Sequence, residues 1–262
     1  MRALIKLGGA LLDDAAARKR LAVEIATVHA DGLELVLVHG GGKQMTRFLA
    51  GQGIESQFVN GLRVTSSEVL DAVVKVIAGS VNKQLVAELT AAGVRAAGLS
   101  GLDGLITEAE QLDPSLGFVG KPVRANPELL QLLTANGYLP VIACVAGDRS
   151  GQIFNVNADQ MASACAAAFE ADLLLFLTDV PGVRGADGQT RSDLTVAECE
   201  ELVRSGVASG GMETKLKAAT QALACGLKAV IIAPGAMPDV IGRTLAGEKI
   251  GTRLVSKEIG RG

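Results

Sequence analysis

The sequence predicts an α/β protein, a three-layer α/β/α sandwich on an open and mainly parallel sheet. Two observations carry that expectation. Aliphatic runs bounded by glycine recur at residues 2–7, 34–38, 94–99, 139–145, 172–177 and 228–232, with the length and composition of buried strands. Segments of helical periodicity separate most of them, and strand–helix alternation at that spacing builds parallel strands with helices on both faces. A chain of 262 residues suits one large domain or two fused lobes and can bury a core without disulfide or metal.

The first run reads "ALIKLGGALL" at residues 3–12, with Lys6 inside it and Gly8 and Gly9 after it. A buried ammonium demands a negative partner, and paired glycines suggest backbone in close approach to a ligand. The second run ends in "HGGGKQ" at 39–44. Between 65 and 93, Val69, Val73, Ile77, Val81 and Leu85 recur about one turn apart, predicting a long helix. Thr65 with Glu68 reads as its capping box and Gly93 as its stop. Residues 102–124 break the rhythm and read as short antiparallel strands inserted at the sheet edge.

"FNVNADQMASACAAAF" at 154–169 predicts a small-residue helix with Asn157 or Asp159 as its N-cap. A cap explains one polar residue there, and Asn155, Asn157 and Asp159 are three. A boundary near Glu170 divides an N-terminal lobe, 1–170, from a C-terminal lobe, 171–262, and no flexible linker intervenes. The lobes should therefore share one sheet. "SGGMETKLKAATQALACG" at 209–226 is a glycine-led turn running into a helix. On it Lys215 shares a face with Met212, Ala219 and Ala222, whereas Lys217 pairs with Glu213 at i+4 and should be solvated.

Apolar residues make up 48% of the chain and aromatics 3%, so the core must be aliphatic and alanine-rich. Net charge is −3 with signs mixed, which lacks the basic footprint of a nucleic-acid binder. Cys144, Cys165, Cys199 and Cys225 stand far apart and read as free thiols packed as small hydrophobes. No signal peptide and no apolar run of about 20 residues is visible. A cytoplasmic protein without membrane contact is expected.

Glycine accounts for 32 residues, well above the usual level of about 7%. "IKLGG", "LVHGGGKQ" and "FLTDVPGV" are glycine-bearing turns that each follow a buried strand. Open α/β sheets bind ligands at the carboxyl ends of their strands, where turn N–H groups and helix N-termini suit anions. Neither GxxxxGK[ST] nor GxGxxG occurs, so this is no P-loop and no plain dinucleotide site. Lys6 and Lys215 could face one phosphate group, with an acid such as Asp159 between them. Arg63, in a glycine-containing loop, could grip a carboxylate by two parallel hydrogen bonds. His29 reads as a surface residue, and His39 as a strand end without a catalytic proton.

"KLGG", "HGGGKQ", "NGLRVT", "NVNADQ", "TDVPGV" and "SGGMETK", in this order, resemble the amino acid kinase family. The resemblance runs from Lys6 to "IGT" at 250–252, and "NGLRV" and "NVNAD" point to the members that phosphorylate N-acetyl-L-glutamate. It implies the carbamate kinase-like fold and transfer of the ATP γ-phosphate to the substrate's side-chain carboxylate, with Mg²⁺ held mainly by phosphate oxygens. It implies Lys6 and Lys215 as cations for the moving phosphoryl group, oriented by Asp159. Gly41, Gly42, Arg63 and Asn155 match positions holding the acylated amino acid. Gly8 and Gly9, the turn Asp179, Val180, Pro181, Gly182, Val183 and Arg184, and the turn Val207, Ala208, Ser209, Gly210 and Gly211 match the nucleotide side.

The chemistry is consistent with that assignment. A side-chain carboxylate with a pKa of about 4.3 is already ionised at pH 7, so the reaction needs no histidine base. Two departures stand out, Lys43 after "HGGG" and "APG" at 233–235. Members inhibited by arginine carry an extra N-terminal helix; its absence here implies a homodimer without that feedback, with the 66–92 helix as a possible interface. A related kinase acting on carrier-protein-bound aminoadipate is the nearest alternative, although the balanced charge advertises no basic docking surface. A non-catalytic amino-acid or nucleotide sensor would not need both lysines.

Overall fold

A computed structural model describes residues 1–256; residues 257–262 of the expected C-terminal lobe lie outside the described residues. Eight strands form one sheet, in the order Asp193–Thr195, Thr252–Val255, Val230–Pro234, Leu173–Thr178, Arg2–Leu7, Glu34–His39, Leu139–Ala143 and Ala96–Ser100. Neighbours run parallel except Val230–Pro234 against Thr252–Val255. The six aliphatic runs supply the six consecutive strands from Val230–Pro234 to Ala96–Ser100. The two at the other edge were not anticipated: at three and four residues they are too short to show a pattern.

The sheet crosses the expected lobe boundary without a break. Arg2–Leu7 pairs with Leu173–Thr178 from Ala3↔Leu173 to Leu7↔Leu177. Helix Ala158–Ala168, from before the boundary, packs against helix Gly210–Ala224, and Ser163 Oγ donates to Ala218 O at 2.9 Å. Alanines along both helices permit that approach, and their inward faces are fully buried, as at Ala162, Ala166, Ala219 and Ala222.

The long helix forms with two differences from expectation. Its cap is Ser66, whose side chain accepts from the Val69 N–H. Thr65 instead donates its hydroxyl to Arg63 O at 2.8 Å, so no capping box forms on it. The helix also runs as α over Ser67–Val73, widens to π over Val74–Val81 and returns to α over Asn82–Ala91. It ends at Gly93, as predicted.

Residues 102–124 do hold antiparallel strands, Thr107–Gln111 against Val119–Ala125, but they do not extend the sheet. They close with Val145–Gly147 and Ile153–Val156 into a small separate barrel. Chain leaving Leu139–Ala143 passes through Cys144 straight into Val145–Gly147 and supplies the barrel's partners. Arg63 lies on a strand rather than in a loop. Phe58–Val59 and Leu62–Arg63 form a hairpin whose turn residues Asn60 and Gly61 have φ of 50° and 77°, the pair of positive angles a type I′ turn requires.

Three cysteines are buried free thiols; Cys225 is free but exposed, contrary to the packed role expected for all four. His29 is half-buried rather than on the surface. Among the described residues no helix is long and apolar enough to cross a membrane.

Candidate active site

Parallel strands deliver their following turns to one edge, and the glycine turns after Leu7, His39 and Thr178 meet there. Gly8 is glycine for a structural reason. Its N–H donates to Leu177 O at 3.0 Å, and a Cβ would stand 2.9 Å from that oxygen. That contact is sufficient to require glycine at Gly8, and a Cβ on its neighbour Gly9 would lie 3.5 Å from the Gly42 nitrogen.

Lys6, Asp159 and Lys215 come together although 209 positions separate the lysines in sequence. Lys6 Nζ lies 2.8 Å from Asp159 Oδ1 and Lys215 Nζ 3.3 Å from Oδ2. Asp159 reaches this place because Asn157 caps its helix, accepting from the Asp159 and Gln160 N–H groups. The carboxylate is 5% exposed. Burial is the largest influence on it and disfavours its charge, but Lys6 and Lys215 together outweigh burial and hold its pKa below the usual carboxylate value. Burial lowers the Lys215 pKa, and the like charge of Lys6 adds to that, against the attraction of Asp159 and Asp179. Lys217 is solvated and paired with Glu213 at 2.7 Å, as expected.

A cavity of about 680 Å³ opens beside this triad, lined by Lys6, Asp159, Gly41, Gly42, Arg63 and Asn155 among others. Met45, Val73, Ile77, Val119 and Cys144 give it an apolar wall. Cys144 is buried, which pushes its thiol up to about 11, so it stays neutral. Arg63 is 8% exposed and stacks on the Phe58 ring, 4.6 Å from its centroid. Its Nη1 donates to Ser56 Oγ, and its Nη2 to Gly42 O at 3.1 Å and Thr46 Oγ1 at 2.8 Å. Both Nη2 hydrogens are thus committed within the protein. The two-pronged carboxylate grip expected of Arg63 is not free in this arrangement, and Arg63 enters the cavity as a fixed positive wall.

Asn155 is oriented by a residue that sequence reasoning assigned to a helix cap. Thr65 gives its proton to Arg63 O, so its oxygen can only accept, and Asn155 Nδ2 donates to it at 3.0 Å. The Asn155 carbonyl oxygen is left as the group able to accept an amide proton. Thr65, Thr46 and Ser56 were all missed as anchors. Their only advance signal was a place within four residues of "NGLRV" or "HGGGK".

Of the expected nucleotide-side residues Gly9 lines that cavity, whereas those of the turns 179–184 and 207–211 are not part of its wall. Asp179, Pro181, Arg184, Val207, Ser209, Gly210 and Gly211 are exposed beyond it, whereas Gly182, Val183 and Ala208 are buried. Val183 donates its N–H to Thr252 Oγ1 at 2.8 Å and belongs to the core. Lys215 stands between the two regions: Asp159 holds it on the cavity side and Asp179 acts on it from the other.

The sequence profile described as "Amino acid kinase family" matches residues 1–233. The chain belongs to the amino acid kinase family. Within it, the chain is similar to the acetylglutamate kinase of Solibacter usitatus, 60% identical over 98% of this chain and 100% of that one. It is also similar to the acetylglutamate kinase of Acidobacterium capsulatum, 47% identical over 92% of this chain and 94% of that one. The structure of a Giardia lamblia carbamate kinase bound to AMP-PNP shares the amino acid kinase fold, with a TM-score of 0.73 at 20% identity, covering 98% of each chain.

Proposed function

We propose that the chain transfers the γ-phosphate of ATP to the side-chain carboxylate of N-acetyl-L-glutamate, giving N-acetylglutamyl 5-phosphate and ADP. The observation that carries this reading is the placement of two ammonium groups on opposite oxygens of one buried carboxylate, beside a cavity with an apolar wall. The 60% identity to an acetylglutamate kinase over that protein's whole length supports the choice of substrate.

In this reading the cavity takes the acylated amino acid. The apolar wall receives the acetyl methyl, Asn155 accepts from the amide N–H, and Arg63 with the Gly41 and Gly42 backbone draws in the carboxylates. The ionised side-chain carboxylate attacks the γ-phosphorus. The bond to the β–γ bridging oxygen breaks and ADP leaves with its electron pair, so no proton has to move. Lys6 on the cavity side and Lys215 on the nucleotide side neutralise the equatorial oxygens as charge develops, the preorganised stabilisation that phosphoryl transfer depends on. Asp159 holds both ammonium groups in place and keeps their mutual repulsion in check.

The nucleotide lies along the turns 179–184 and 207–211, and Mg²⁺ bound with it would add charge neutralisation while asking for no protein cage. The residues fit that arrangement. Both oxygens of Asp159 are already engaged by lysines, so the buried acid is not a metal ligand. The reading also carries a homodimer, with the 66–92 helix as its candidate interface, and a cytoplasmic site of action; sedimentation velocity checks the first.

The test is direct. Purified protein with ATP and Mg²⁺ is offered N-acetylglutamate, N-succinylglutamate and N-acetylaminoadipate, and acyl phosphate is trapped with hydroxylamine. Hydroxamate from N-acetylglutamate above all others is expected. ATP-dependent product from none of them overturns the assignment.

A further inference from the structure

Directly behind the glycine loop, outside the cavity wall, two fully buried polar side chains meet. His39 and Asn82 are each 0% exposed. Asn82 Nδ2 lies 3.0 Å from His39 Nε2, 2.9 Å from Val141 O and 3.4 Å from Leu99 O. Two backbone carbonyls around one amide atom require it to be the NH₂, while Oδ1 faces Lys83 Nζ at 3.2 Å. The Asn82 orientation is therefore set without reference to the histidine. An NH₂ facing Nε2 makes that nitrogen the acceptor, so the imidazole is neutral and carries its proton on Nδ1. Nδ1 then donates to Gly40 O at 2.7 Å.

That bond determines where the loop's next donor points. In a trans peptide the carbonyl and the following N–H point in opposite directions. The Gly40 carbonyl is drawn back toward His39, so the Gly41 N–H of the same peptide faces forward. Gly40, Gly41 and Gly42 line the cavity, whereas His39 and Asn82 do not.

Two further features show that room was made for this arrangement. Asn82 follows directly on the widened π turn Val74–Val81, and such turns recur at functional sites. Gly98 clears its path: a Cβ there would stand 2.2 Å from Asn82 Oδ1.

We propose that His39 and Asn82 are positioning residues that fix the Gly40–Gly41 peptide, so that the Gly41 N–H is held toward the carboxylate-bearing substrate. The inference rests on the proposed function for its substrate, but the tautomer and the peptide orientation do not depend on it. Neither residue touches the reacting atoms. Their effect passes through one backbone donor, so it must appear in the acyl amino acid and not in ATP.

The experiment compares three histidine variants. Asn places an amide nitrogen near the Nδ1 position and can still donate to Gly40 O, Leu cannot donate, and Gln puts its amide near Nε2 instead. His39→Leu is expected to lower kcat/KM for N-acetylglutamate roughly 10- to 150-fold, the scale of one lost hydrogen bond to a charged group, through KM. KM for ATP should stay within about twofold, and His39→Asn should recover most of the loss. Should His39→Leu not fold, His39→Gln takes its place with the same expected split. Asn82→Leu combined with His39→Leu should cost little more than either alone, since both act through one peptide.

Equal losses for both substrates, or a His39→Leu enzyme with wild-type kinetics, overturn the proposal and leave the assigned reaction standing. A substrate-free arm separates the two further. Nitrogen NMR of the ¹⁵N-labelled imidazole in wild-type protein should show Nδ1 protonated and Nε2 bare near neutral pH. The opposite tautomer overturns the positioning role whether or not the chain phosphorylates N-acetylglutamate, and absence of turnover with the expected tautomer overturns only the reaction.

Discussion

Lys215 Nζ sits 3.3 Å from the Oδ2 of Asp159, the oxygen that Lys6 does not use. One carboxylate thereby anchors cations from a sheet strand and from a helix of the other lobe. Two ammonium groups held by one acid leave a local surplus of positive charge, which a transferring PO₃ group can use. Lys6→Ala or Lys215→Ala should each lower kcat about 10²-fold or more, the scale for losing one preorganised donor. Lys217→Ala, with its side chain 66% exposed, should be close to silent. Steady-state kinetics on the three variants checks this, and equal losses at 215 and 217 would contradict it.

Asp159→Asn separates positioning from folding. Removing the charge leaves two buried ammonium groups facing each other without compensation, which costs on the order of 3–5 kcal/mol when a buried pair is broken. Unfolding in urea should show that loss, and ATP should restore part of it by binding beside Lys215. The pH dependence follows from the lowered Asp159 pKa. The unfolded carboxyl takes up protons first, so the triad's contribution is fully present above the ordinary carboxylate value. It is lost as pH falls from there through the lower folded value.

His39 adds a second acid sensitivity at higher pH. Burial, with a smaller contribution from the Lys83 charge, depresses its pKa from 6.5 to about 4, against the bond to Gly40. Between those values the unfolded state binds the extra proton, so stability falls as pH drops from about 6.5 and levels off below about 4. The accumulated loss by pH 4 is about 3 kcal/mol. Urea midpoints at pH 7 and pH 4.5 should differ accordingly, and His39→Asn should flatten the difference.

Much of this site could be read from sequence because strand-end topology does the gathering. A lysine in an apolar run, three glycine turns after strands and an acid at a helix start had few places to go but one sheet edge. The hydrogen bonds that orient those groups were not legible. Thr65 looked like a cap and became the acceptor for Asn155, since Ser66, one residue on, was equally able to cap. Asn82 carried no sequence signal of its own, because a π turn leaves no mark on an apolar repeat read at one-turn resolution. The barrel was missed because its strands pair across residues 107–156, and pairing between distant segments carries no local signal.

Arg63→Ala should raise KM for the acyl amino acid far more than KM for ATP, since the guanidinium lines the cavity and not the nucleotide turns. Arg63→Lys should not rescue it: one ammonium cannot serve Ser56, Gly42 and Thr46 together or stack on Phe58. Substrate-matched kinetics on both variants checks the pair, and an equal rise in both KM values would place Arg63 outside the substrate region.

Gly98→Ala tests the architecture behind the glycine loop with one methyl group. The backbone there is compatible with alanine, so any cost is steric. The new Cβ would press on Asn82 Oδ1 at 2.2 Å, Lys83 Nζ at 2.7 Å and Val86 Cγ2 at 2.9 Å. Lys83 can swing into solvent, but Asn82 is enclosed and must give up contacts to Val141 O and His39. The expected result is a stability loss of about 1–3 kcal/mol, typical of overpacking, with a higher KM for the acyl amino acid and an unchanged KM for ATP. Loss of stability with both KM values unchanged would show that Asn82 can move without disturbing the Gly40–Gly41 peptide.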